Sequence, residues 1–216
     1  GEVTVNFDGG ILRATDADTL LTGGVPGSVT IKGGGAFIDS NGYHMEIASP
    51  LGGVGALTKL GAGTLTLTGN NSYAGGTIID TGTLQLAGAG TLGAPTGALT
   101  IAAGAALDLG STSQTVGSLS GAGDITSTVT TGTPSLLTVD QATDTIFSGA
   151  IRNGIQVLSP GSASLPPIIV PTVVGLTKSG AGSLTLSGSN AYTGVTNVTG
   201  GTLLVDGSLG NTKVAV

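Results

Sequence analysis

The residues of this 216-residue chain best placed for chemistry are two close pairs of carboxylates, Asp16 with Asp18 and Asp140 with Asp144. Two acids on one strand face could divide acid and base roles on a glycosidic bond, or hold a cation beside a base. Their surroundings argue against it. Ala14-Thr15 and Ala17 read as a turn, where aspartate is ordinarily solvated. His44 is the only histidine and the chain has no cysteine, so a transition-metal site lacks its usual ligands. Arg13 and Arg152 are the only arginines, poor material for a clamp on an acidic substrate. Gly88-Ala89-Gly90-Thr91-Leu92-Gly93 matches the dinucleotide pattern GxGxxG. The chain then runs through Ala94-Pro95-Thr96-Gly97 into a strand, not into the helix whose N-terminus would receive a pyrophosphate. The calcium-binding nonapeptide GGxGxDxUx is not matched, and no nucleophile–base pair can be named. The expectation is a protein that is not an enzyme, with no cofactor and no metal.

The elements that would position any site are short strands. Leu65 and Leu67 alternate with Thr64, Thr66 and Thr68, and the same period of two recurs at Leu84/Leu86, Leu99/Ile101, Leu107/Leu109, Leu184/Leu186 and Leu203/Val205. The threonine row is expected on the outward face. Glycine, 41 residues of it, punctuates nearly every run, and no segment carries a helical period. Aromatic residues make up only 3%, so the core must be aliphatic and narrow. The net charge of −6 and six scattered cations exclude a nucleic-acid binder. No apolar run reaches the length of a membrane-spanning helix.

Turn pairs such as Asn41-Gly42, Asn153-Gly154 and Asp206-Gly207 would suit antiparallel hairpins. A repeat decides against them. Leu57–Ala87 and Leu176–Asp206 align without a gap and agree at 17 of 31 positions. Copies of one unit most simply stack, which predicts a parallel β-solenoid of about nine to eleven coils at roughly 20–25 residues each. Weaker relatives start at Ser28, Leu99 and Val116. The whole of residues 1–216 reads as one domain. A proline-rich loop, 159–173, is expected to leave the coils, because Pro160, Pro166, Pro167 and Pro171 cannot donate to a ladder. Its apolar residues Leu165, Ile168, Ile169 and Val170 either fold back over a coil or form a contact surface.

The repeated residues resemble the passenger-associated strand repeat of autotransporters, the type V secretion proteins of bacteria. Both copies carry the LTKxGAGxLTL run and the NxYxGxT and GTL signatures. They include Gly61, Gly63, Leu65, Leu67, Asn71 and Tyr73, matched by Gly180, Gly182, Leu184, Leu186, Asn190 and Tyr192. The second copy departs at Ser183 and Val195. The resemblance implies a right-handed parallel β-helix exported across the outer membrane and displayed at the bacterial surface or released. It implies a scaffold, with no catalysis from the repeat itself. Asn71/Asn190 and Tyr73/Tyr192 are read as turn and packing residues, with glycan stacking by the tyrosines as the sharper alternative. The charged residues are expected to supply no chemistry. Expected partners are host-surface or matrix glycans and proteins, and membrane attachment only through a region outside this chain. The alternative is a subunit that stacks end to end through its solenoid termini into an extracellular filament.

Overall fold

A computed structural model describes residues 4–16, 18–21, 29–128, 134–158 and 168–216. Among them the only regular elements are twenty-six short strands, and no helix occurs. All but one of the strand pairings are parallel, and the strands stack as a β-solenoid of about nine turns. At the usual inter-strand spacing nine coils make a rod about 40 Å long.

The coil has three walls. One is a nine-stranded sheet that climbs from Ile11–Arg13 through Ala36–Asp39, Leu57–Leu60, Thr77–Ile79 and Ala98–Ile101, and on to Thr202–Val205. The second is a seven-stranded sheet holding His44–Ile47, Thr64–Leu67, Thr83–Leu86, Ala106–Asp108 and Asp124–Thr126. The third is divided between a three-stranded sheet, Val5–Phe7 to Leu51–Gly53, and a five-stranded sheet, Gln114–Val116 to Val214–Ala215. Leu57 stacks on Thr77 and Thr77 on Leu99, a climb of 20 to 22 residues per coil.

In-register stacking makes columns of like side chains. Met45, Leu65, Leu84, Leu107, Ile125 and Ile151 form one continuous inward column, each with no exposed surface. Alternation puts every second residue inside, and the parallel register repeats that choice in the next coil. The Asn41-Gly42 pair adopts left-handed backbone, φ 50° and 88°. It joins strands of different sheets, so it makes a corner of the coil and not a hairpin.

The two repeat copies do not lie on the same walls. The Leu-Thr-Lys strand of the first, Leu57–Leu60, is in the nine-stranded sheet, and that of the second, Val174–Ser179, is in the five-stranded sheet. The repeat is therefore a portable strand–corner–strand unit, bonded to its own turn and to the next coil and not tied to one side of the prism.

Candidate functional site

The repeat builds its corner from a residue that sequence reasoning passed over. Lys59 has the parity of Leu57 and so points inward, in a column between Ile38 and Ile79. Lys178 lies in the same way between Val139 and Val198. Both lysines have 0% relative exposure, which a cation tolerates only when its donors are taken up. The Lys59 Nζ donates to the carbonyls of Leu60, Gly61 and Thr81 at 2.8, 2.6 and 3.0 Å. The Lys178 Nζ donates to the equivalent carbonyls of Ser179, Gly180 and Gly200 at 2.5, 3.0 and 3.2 Å. Two of each set belong to the lysine's own turn and the third to the turn of the next coil. Burial pushes the Lys59 ammonium down to about 8 against the pull of the Asp39 carboxylate, so it is protonated at neutral pH.

Glycine makes the carbonyls converge. Gly61 and Gly82 have φ of 72°, and Gly180 and Gly201 have 73° and 62°. A Cβ on Gly82 would stand 2.5 Å from the Gly63 oxygen and 3.0 Å from Lys59 Nζ. The distant signatures LTKxGAG and GTL thus describe one chemical unit.

Asparagine stitches three coils at the next corner. Asn71 is buried; its Oδ1 accepts from Leu51 N at 2.9 Å and its Nδ2 donates to Thr91 O at 2.8 Å. Asn190 repeats this with Ile151 N and Ser208 O. Gln114 accepts from Leu92 N and donates to Gly90 O, tying its coil to the one below. Asn71→Ala strips a buried donor and a buried acceptor of their partners, and a loss of about 2–3 kcal/mol is expected in a urea melt. Tyr73 and Tyr192 have no exposed surface, and each phenol meets a threonine hydroxyl, Thr77 or Thr196, at 2.7 Å. Burial raises both phenols above the usual tyrosine value, against the pull of the threonine hydrogen bond. This geometry leaves neither ring a face for a sugar.

Several carboxylates are held by neighbouring donors. Asp140 accepts from Ser179 Oγ at 2.9 Å and Asp144 from Ser183 N at 2.8 Å, both beside the second repeat. Asp16 is exposed and Asp18 opens a strand on Met45. The buried Asp108 receives Gln85 Nε2, Gly110 N and Thr128 N at 2.7 to 3.0 Å, and also the Thr128 hydroxyl. His44 is exposed and stacks on Thr64. The Gly88–Gly93 stretch is a turn leading into strand Ala98–Ile101. No group of three metal-ligating side chains occurs among the described residues. The threonine row points away from the Leu65 and Leu67 core, but it is not open to solvent throughout. Thr66 is only 5% exposed, because Gln85 of the next coil lies over it and accepts its hydroxyl at 3.1 Å.

Asp39 is a carboxylate whose contribution titration should expose. Burial raises it, but hydrogen bonds from Arg13 and the Asn41 amide, with the Arg13 and Lys59 charges, outweigh this and hold it below its usual value. A depressed folded value means the contribution is present above 3.8 and is lost as pH falls through the lower folded value. The parent chain should therefore lose its stability margin over Asp39→Asn below that pH, read from melts across the acid range.

The extruded segment is the other unusual feature. Ile155–Leu158 pairs antiparallel with Ile168–Pro171, apart from the parallel walls. Its base closes where Thr172 N donates to Gly154 O at 3.1 Å and Gly154 N to Thr172 Oγ1 at 2.8 Å. The excursion therefore starts at Ile155, earlier than the expected Ser159, and Thr172 and Val173 already belong to the coil. Prolines predicted a plain loop, yet Pro171 takes the terminal strand position, where a missing N–H costs little. Pro160, Leu165, Pro166 and Pro167 lie outside the described residues. Ile169 is 60% and Ile155 58% exposed, so neither is folded over a coil. Ile155 pairs with Pro171, two residues beyond Ile169, which places all three on one face.

Comparison with known proteins bears on this arrangement. The family profile described as Passenger-associated-transport-repeat matches residues 57–86 and 176–205. The chain is 31% identical over 202 residues to the adhesin BmaC autotransporter of Brucella suis biovar 1 (strain 1330). That alignment takes in 93% of this chain and 5% of the adhesin, so the chain spans a small fraction of the length of its relative. No solved structure matches.

Proposed function

This chain is a stretch of autotransporter passenger built on that repeat, and from this premise we propose that it serves as a stiff surface spacer presenting an adhesive hairpin. The solenoid is the spacer. The hairpin that starts at Ile155 is the contact element, and its location is the bacterial surface or the medium just outside it. The role is non-enzymatic, in keeping with Asp108, Asp140 and Asp144 held by neighbouring donors and Asp39 and Asp124 paired with arginines.

The observation that carries this reading is the face formed by Ile155, Ile169 and Pro171. Single isoleucines on the walls, Ile11 and Ile146, are as exposed at 60% and 61%; what sets the hairpin apart is that Ile155, Ile169 and Pro171 share one face of an element outside the parallel walls. Exposed apolar groups gathered on one projecting element suit contact with another molecule. A host-surface or matrix protein with an apolar groove is the partner class that this face fits best, with glycans as the alternative. The filament alternative gains no support from the relatives that the chain matches.

The test uses the full-length protein on bacterial cells. The hairpin is trimmed at its closed base by joining Gly154 to Thr172 through a two-glycine link. Adherence to host cells and to matrix-coated wells should fall severalfold, while antibody staining shows the same amount of passenger at the surface. Undiminished adherence at equal display would move the contact away from the hairpin.

A further inference from the structure

We infer that each repeat contains a tethered-cation site: three backbone carbonyls from two successive coil turns, shaped for a primary ammonium and occupied by the repeat's own lysine, which thereby fastens one coil to the next. The sites are Leu60, Gly61 and Thr81 around Lys59, and Ser179, Gly180 and Gly200 around Lys178.

Three observations point to a cation cage and not to a lysine that merely fills space. First, the number of donors equals the number of acceptors. An ammonium has three N–H groups and no lone pair, and here each meets one carbonyl. Second, no carboxylate neutralises either charge directly. The ion pairs among the described residues are Arg13–Asp39 and Arg152–Asp124, so the partial charges of the carbonyls are what solvate the lysines. The fixed carboxylates facing the cages are Asp39 for Lys59, and Asp140 and Asp144 for Lys178. Third, corresponding inward positions in neighbouring coils hold Ile38, Ile79, Val139 and Val198. An aliphatic side chain satisfies the column in those coils. In these columns lysine stands where the Gly61-Ala62-Gly63 or Gly180-Ala181-Gly182 turn aims its carbonyls inward.

The cage also explains why two separated signatures recur together in both copies. The lysine provides the cation, and the two residues after it, Leu60-Gly61 or Ser179-Gly180, provide two acceptors. The residue before Gly82 or Gly201, one coil later, provides the third. Removing the ammonium takes one donor from each of three carbonyls and uncouples the two turns, although the Leu60 oxygen keeps the Ser40 amide at 3.0 Å.

The test is chemical rescue of thermal unfolding. Lys59→Ala removes the side chain beyond Cβ, which n-propylammonium replaces atom for atom. The variant's melting temperature should fall by on the order of 5–10 °C. It should recover by several degrees in n-propylammonium chloride, and neither in tetramethylammonium chloride of equal ionic strength nor in 1-propanol. Equal effects of the three additives would overturn the inference. So would a Lys59→Met chain melting at or above the parent, since Met keeps the apolar stem and discards the charge. Acylation of the intact parent by acetic anhydride, read by mass spectrometry, needs no variant to fold. Lys32 and Lys213, both exposed, should be modified fully while Lys59 and Lys178 stay unmodified. Modification of all four at similar rates would show that the cages do not enclose their lysines.

Discussion

Gly63→Ala is expected to destabilise the solenoid by roughly 3–5 kcal/mol, from the sum of a left-handed backbone that alanine resists and a steric clash. Gly63 has φ of 93°, and a Cβ there would stand 2.3 Å from the carbonyl oxygen of Tyr43 in the coil below. The oxygen cannot retreat freely, because it accepts the Thr64 amide at 3.0 Å. Relief would require separating two coils at the corner that holds the Lys59 cage. For a chain of this size the loss corresponds to a fall on the order of 10 °C in melting temperature. Gly33→Ala is the control, since a Cβ on Gly33 meets nothing within 4 Å. That variant should melt within about a degree of the parent. Equal melting of the two would mean that the corner is far looser than its hydrogen bonds require.

Tyr73→Ala is the second large effect, about 3–5 kcal/mol, as for other aromatic residues deleted from a packed core. The ring is fully buried in a chain with three tyrosines and three phenylalanines, so the coil has little other bulk to close the gap. Gly93 shows how tightly the site is filled. A Cβ there would come within 2.8 Å of the tyrosine ring. Tyr73→Phe isolates the hydroxyl. It breaks the 2.7 Å contact with Thr77, whose own hydroxyl lies 3.2 Å from the Leu92 carbonyl, and should cost about 1 kcal/mol. Urea melts of the pair read both quantities. A phenylalanine variant as damaged as the alanine variant would mean that the hydroxyl, and not the ring, holds the corner.

Much of the architecture was legible in the alternation of Leu65 and Leu67 with threonine and in the gapless repeat. Period two places side chains on alternate faces, and repetition selects stacking over hairpins. What stayed hidden depended on contacts between coils. Nothing in a linear reading of Thr66 shows that Gln85 lies over it, nor that Asn71 reaches both Leu51 and Thr91. Lys59 could have been found, because its parity with Leu57 already puts it inside. The habit of treating lysine as a surface residue concealed it. The hairpin was half legible. Four prolines marked a departure from the coil, but the pairing of Ile155 with Pro171 needs register, which composition does not carry.

The central claim is a division of labour: the repeat corners hold the stack, and the Ile155–Pro171 hairpin makes the contact. The most direct test is the equilibrium binding of purified chains to host cells, below the melting temperature of every variant, for the parent, Lys178→Met and the hairpin-trimmed form. Lys178→Met should bind like the parent although it melts lower, and the trimmed form should melt like the parent and lose binding. A trimmed chain that binds fully, beside a folded Lys178→Met chain that does not, would contradict the account.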